Sequence, residues 1–255
     1  MSPASVKVAL LAALLREVQP FLRRVRARPL NLKELSAWEF HLPGGSGLAA
    51  LTGMGEPAAA RTATRILASY HPRVLLSLGF GGALTPEIDP GALVLGDSFW
   101  YFAPERGKLE KLLAPGPPKP LTSMLRALKD ARLPAFAGSL VTTPWILEKR
   151  SLPSALKRLS HPVLDLETAA VAAAAYSADL PFLALRAVTD AAENEIPDFL
   201  RQAARKSRDP RWQTALAWVR ENPRRLMILV HFWQQSRRAA RNLAQALEII
   251  LPLLM

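Results

Sequence analysis

The chain of 255 residues contains no cysteine. Disulfide staples and thiolate metal sites are therefore excluded, and folding needs no oxidising compartment. Histidine is scarce. His41, His71, His161 and His231 are scattered without metal-ligand spacing, so neither a metal nor another cofactor is expected. No run reaches the ~18 apolar residues of a membrane-spanning helix. The short apolar run after Lys7, VALLAALL, meets Arg16 and Glu17 with no clear cleavage site. It reads as a first buried strand rather than a signal peptide, which makes a cytoplasmic location the expectation.

Half of the residues are apolar, enough for a large core in one α/β domain with an appendage. The net charge of +12 is uneven. From Leu200 onward there are eleven Arg/Lys against three Asp/Glu, so most of the surplus lies in the last fifth of the chain. The expected division is a core domain over 1–199 and a basic helical extension over 200–255. A nucleic-acid partner is not expected, because the basic character does not belong to the core. In the extension, Leu226, Val230, Trp233, Ala240, Leu243, Ala244 and Leu247 repeat at helical spacing, with Arg237 interrupting. Such a basic amphipathic helix suits peripheral contact with an anionic membrane or packing on a protein surface; packing is the preferred reading.

Residues 6–11 and 73–78 read as strands. The repeat Leu14, Val18, Leu22, Val25 reads as a helix that must start near Arg16 to tolerate Pro20. A hairpin is expected across Pro43-Gly44-Gly45, and an alanine-rich helix over 57–70 behind Thr52-Gly53-Met54-Gly55. Glycines 79, 81 and 82 read as a turn after their strand, where they allow close approach to a ligand. Residues 103–120, rich in proline and charge, read as a surface excursion. A helix from Leu121 to about Ala131 and a strand over 136–143 follow.

The most informative stretch runs from Val163 to Asn194. Glu167 opens a small-residue helix that reaches about Tyr176. The run PFLALRAV from Pro181 then has the unbroken apolar character of a strand covered on both faces. Asp190 follows its C-terminal end, where ligands bind in open α/β sheets. Singly, each acid suits a helix terminus. As a pair they suit acid–base chemistry on one ligand.

Asp165, Leu166, Glu167, Ala169, Ala170, Val171 and Ala172, then Pro181-Phe182, then Arg186, Val188, Thr189 and Asp190, resemble the signature of the nucleoside phosphorylase and nucleosidase superfamily. The likeness is strongest to the methylthioadenosine/S-adenosylhomocysteine nucleosidases, and it extends over about 6–194. It implies a three-layer α/β/α fold with a central mixed twisted sheet, here followed by a C-terminal helical tail, and it implies a homo-oligomer. The catalytic set it implies is Asp190 protonating the departing base, Glu167 holding the ribose 2′-hydroxyl, and Glu17 positioning water. Gly79, Phe80, Gly81, Gly82, Trp145, Leu166, Arg186 and Thr189 are the implied substrate-binding residues, with Trp145 stacking on the base and Arg186 ordering Glu167 or its loop. Phe80 and Leu166 depart from the nucleosidase pattern, and Phe80 makes the sugar side more apolar.

The expected activity is cleavage of a purine nucleoside, adenine first, by hydrolysis. Ser77 stands where many phosphorylases carry an arginine for phosphate, which favours water. Arg16 and Arg61 keep phosphorolysis as the alternative. A lipid-linked nucleoside, taken by hopanoid-associated relatives, would suit an apolar pocket mouth and a basic tail. A non-catalytic nucleoside-binding protein is the third reading. The enzymatic reading demands that Glu167 and Asp190 face one cavity and that neither is locked in a buried salt bridge.

Overall fold

The computed structural model describes residues 6–32, 35–196, 201, 222 and 225–255. The elements in chain order are β1 (Val8–Ala12), α1 (Leu15–Arg24), β2 (Arg28–Leu32), β3 (Leu35–Leu42), β4 (Gly45–Leu51), α2 (Glu56–Tyr70), β5 (Val74–Ala83), β6 (Leu93–Ala103), β7 (Lys108–Leu112), α3 (Leu121–Asp130), β8 (Ala135–Thr142), α4 (Ser154–Lys157), β9 (Val163–Asp165), α5 (Thr168–Ser177), β10 (Phe182–Asp190) and α6 (Arg225–Leu254). A single 3₁₀ turn, Lys149–Ser151, precedes α4.

Strand alternation builds three layers, as expected. Side chains of successive strand residues point to opposite faces. Val8 and Leu10 of β1, Leu76 and Leu78 of β5, and Leu183 and Leu185 of β10 join a core with α1, α3 and α6. Ala9 and Leu11, Leu75, and Phe182 and Ala184 from the same strands join the opposite core with α2 and α5. Buried on both faces, these central strands read as continuous apolar runs.

The sheet is mixed and partly closed. β10 pairs in parallel with β5 and antiparallel with β6, while β8 and β9 connect β6 back to β5. Five strands therefore make a ring, from which β1, β4, β3 and β2 extend as an open sheet. The 79–82 segment departs from the expected turn. It continues β5, pairing with β10 through Gly82 and with β9 at Gly82–Ala83. The glycines allow that continuation through a crowded region. A Cβ at Gly81 would lie 2.4 Å from Val163 Cγ1 and 2.9 Å from the Leu164 carbonyl oxygen. The 103–120 excursion also contains a strand, since β7 pairs antiparallel with β6.

The basic extension contributes a core helix. Ala239, Leu243, Ala244, Leu247, Ile250 and Leu251 of α6 are fully buried against the sheet, α1 and α3. The first turns differ: Leu226, Met227, Ile228, Val230 and Trp233 are exposed, with the Arg237 guanidinium 4.6 Å from the Trp233 ring centroid. The expected apolar stripe is therefore buried only from Ala239 onward. No described helix is long and apolar enough to cross a membrane.

Candidate active site

The cavity at the C-terminal ends of β1, β5 and β10 is lined by three of the predicted acids, Glu17, Glu167 and Asp190. Phe80, Gly81, Gly82, Leu166 and Thr189 line it too. Of the remaining expected residues, Gly79, Trp145 and Arg186 are not among the lining residues, whereas Ile146 and Leu147 are. The aromatic at 145 is thus displaced from the place expected of a base-stacking ring. The chain after β8 presents the next two aliphatic side chains instead.

Glu17 enters from the first turn of α1. Its carboxylate accepts from the N–H of Leu14, the N-cap residue, at 2.8 Å and from the N–H of Phe80 at 3.1 Å. One side chain therefore satisfies a helix-terminal donor and bridges α1 to β5. Gly79 serves that contact indirectly, for a Cβ there would stand 3.1 Å from Glu17 Oε1. Burial raises the Glu17 pKa; the two amides, Arg186 and Arg16 oppose it.

Glu167 is the N-cap residue of α5, and its side chain crosses to α2. Oε1 accepts from the N–H of Gly55 at 2.8 Å. Gly55 has φ of 87°, a left-handed conformation open to glycine, and so the T-G-M-G turn aims that amide into the cavity. Glu167 is half-buried by exposed surface but lies deep in the protein. Burial, then the negative charges of Asp165 and Glu17, push its pKa up to about 8 against the pull of the Gly55 amide and Arg186. A carboxyl raised from 4.5 in this way stabilises the fold fully below pH 4.5 and loses that contribution as pH rises through about 8. Glu167→Gln is therefore expected to gain stability relative to the native chain between those two pH values, and thermal melts across pH would show it. A constant difference in melting temperature would contradict the assignment.

Asp190 ends β10 at a register shift between Val188 and Asp190, which brings it opposite Gly82. Such irregularities re-aim side chains beside active sites. A Cβ at Gly82 would lie 2.5 Å from Asp190 Oδ2. The Thr189 hydroxyl donates to Asp190 Oδ1 at 2.8 Å. Oδ2 lies 2.5 Å from the Lys149 ammonium, and both side chains are only 5% exposed. The contact is an ion pair without the alignment of a good hydrogen bond, which leaves Oδ2 free to take another donor. Burial raises the Asp190 pKa, while Lys149 and Thr189 pull it down. The first requirement of the enzymatic reading is thus met, and the second is not: Asp190 sits in a buried salt bridge. Its partner, however, lines the same cavity.

Arg186, grouped above with the substrate-binding residues, is fully buried and is not among the lining residues. Nε donates to Asp165 Oδ2 at 2.8 Å, and Nη2 donates to Ser77 Oγ at 2.8 Å and Thr168 Oγ1 at 2.7 Å. Asp165 also accepts from the hydroxyls of Thr142, at 2.7 Å, and Thr168. This network fixes the start of α5, and Glu167 with it. Arg186 thus sits where the resemblance implied, ordering the start of α5 that carries Glu167. Ser77, read from the sequence as the place of an absent arginine, is part of the same network.

Lys149 escaped the sequence reading. It lies in an unpatterned Glu-Lys-Arg-Ser run, 41 residues from its partner, and nothing local marks it. Arg16 also lines the cavity, its guanidinium 5.8 Å from the Phe80 ring centroid. Among the described residues no cluster of His, Asp or Glu could hold a metal ion.

The phosphorylase superfamily model matches residues 7–209, so the chain belongs to that superfamily of enzymes. Among solved structures it is similar to futalosine hydrolase of Helicobacter pylori, with 13% identity, 96% of this chain and 98% of that one covered and a TM-score of 0.71. It is also similar to the 5′-methylthioadenosine/S-adenosylhomocysteine nucleosidase of Neisseria meningitidis, with 19% identity, 96% and 98% covered and a TM-score of 0.71. The S-adenosylhomocysteine nucleosidase of Streptococcus pyogenes matches at 18% identity over 100% and 99%, with a TM-score of 0.70. At these identities the likeness is one of fold.

Proposed function

We propose that the protein hydrolyses the N-glycosidic bond of a purine nucleoside. The observation that carries this reading is the convergence of Glu17, Glu167 and Asp190 on one cavity. Asp190 and Lys149, at the Gly82 and Thr189 end, form the proton-donating side for a departing base. Glu167, in the ionised form that predominates above about pH 8, accepts a hydrogen bond from the ribose 2′-hydroxyl and stabilises positive charge developing on the ring. Glu17, held by two backbone amides, orients the attacking water.

Water is favoured over phosphate by charge. A phosphate dianion needs several convergent cations or amides. Arg16 shares the cavity with Glu17, and the arginine nearest in sequence to Asp190 is committed to Asp165. Arg61, the other candidate, is exposed on α2 and is not among the lining residues. A panel of purine nucleosides, incubated with and without phosphate, tests the reading. Free base with free ribose derivative, at a rate independent of phosphate, is the expected result. Ribose 1-phosphate as the product would overturn hydrolysis, and tight binding without any product would favour the nucleoside-binding reading.

A further inference from the structure

Lys149 makes a fixed set of contacts. Its ammonium lies 2.5 Å from Asp190 Oδ2 and donates to the backbone carbonyls of Asp190 at 3.2 Å and Ala191 at 2.6 Å. An ammonium has three N–H donors and no acceptor, so two accepting carbonyls and a carboxylate at ion-pair distance around one buried nitrogen match its protonated form. Asp190 is then the anion of the resting pair. A carboxylate that is already ionised has no proton of its own to give a leaving base.

The surroundings are built around this pair. Glycine at 82 leaves the necessary room, because a Cβ there would meet both Asp190 Oδ2 and Lys149 Cε, the latter at 3.1 Å. The 3₁₀ turn carrying Lys149 is held by Glu195, whose carboxylate accepts from the N–H groups of Lys149 at 3.1 Å and Arg150 at 3.0 Å. The charged groups acting on Asp190 are thus Lys149 on the turn and Glu195 beyond β10. A clamp for the end of β10 would need only the two carbonyl contacts. The third reaches a carboxylate that lines the cavity, where a ligand would lie.

We propose that Lys149 is a positioning residue for the leaving-group step: it orients the Asp190 carboxylate and is the store of the proton that Asp190 relays to the base. This rests on the nucleosidase reading above. As the C1′–N bond breaks, its electron pair passes into the base. A ring nitrogen of the base takes a proton through Asp190, and Asp190 takes one from Lys149 Nζ. Water adds to C1′ and gives its proton to Glu17. After product release, that proton returns through water to the neutral Lys149 amine, and the charges are restored.

The test compares Lys149→Met and Lys149→Arg with the native enzyme on a purine nucleoside and on 4-nitrophenyl riboside, whose phenolate departs without protonation. Lys149→Met is expected to lose roughly 10²-fold or more in kcat on the nucleoside. On the nitrophenyl riboside it should stay within about fivefold, since only the proton-dependent step is removed. Lys149→Arg should not restore nucleoside cleavage, because a guanidinium keeps its proton. Equal losses on both substrates would reduce Lys149 to a structural clamp. Rescue by arginine would leave only its charge. A second measurement needs no turnover: ¹³C NMR of aspartate-labelled protein, with the Asp190 signal assigned through Asp190→Asn. Asp190 should be ionised at neutral pH in the native chain; a protonated Asp190 there would carry its own proton and overturns the proposal. If the native protein cleaves no nucleoside, the functional reading fails by itself, and the NMR result still decides whether the resting Asp190 holds a proton of its own.

Discussion

Asp190→Asn is expected to lower kcat for purine nucleoside cleavage by about 10²–10⁴-fold, the usual contribution of one general acid. KM should change little, because the loss falls on a group whose contact strengthens only as the base departs. The amide is nearly isosteric and can still accept from the Thr189 hydroxyl, so the end of β10 should keep its course. What it cannot do is relay a proton. It also removes the counter-charge 2.5 Å from a buried ammonium, so a parallel thermal melt is needed to separate chemistry from folding. A folded variant that retains kcat within about twofold would remove Asp190 from the mechanism.

Arg186→Met should cost about 3–5 kcal/mol of stability, the range for breaking one side of a buried ion pair. That is a large share of the roughly 5–15 kcal/mol that holds a typical domain folded. The arginine and aspartate side chains are 1% and 0% exposed, so the orphaned Asp165 carboxylate would have no water to turn to. Its remaining donors are the Thr142 and Thr168 hydroxyls and the Thr168 amide. The double variant Arg186→Met/Asp165→Asn removes both charges and should be less damaged than Arg186→Met alone, since neither half is left unpaired. Urea unfolding midpoints of these two variants, of Asp165→Asn and of the native chain measure this directly. Additive losses would mean that the pair is not coupled in solution, and that Arg186 owes its burial to packing.

The elements most legible in the sequence are those buried on both faces. β1, β5 and β10 are apolar throughout because helices cover the sheet on each side, and composition alone marks such strands. β2 and β7 carry no such mark. RPLNL and KLEKL lie on hairpin partners with much of their surface exposed, and their pairing with β3 and β6 is set by neighbours rather than by their own pattern. The glycines after residue 78 read as a turn by local rules. They stay in the strand because β10 and β9 pair with them, and glycine fits where Val163 and Asp190 crowd it.

By itself the sequence determined the doubly buried strands, most of the longer helices, the superfamily, and the three acids of the cavity, because local apolar periodicity and short motifs carry that information. The tertiary structure decided what those acids touch. It turned Arg186 inward onto Asp165 and buried the second half of a basic helix against the sheet. It also set Lys149 against Asp190 across 41 residues of chain. These contacts depend on strand register, on the irregularity at the end of β10 and on the space left by Gly82. No window of neighbouring residues encodes them, for they exist only once separate segments share one cavity wall.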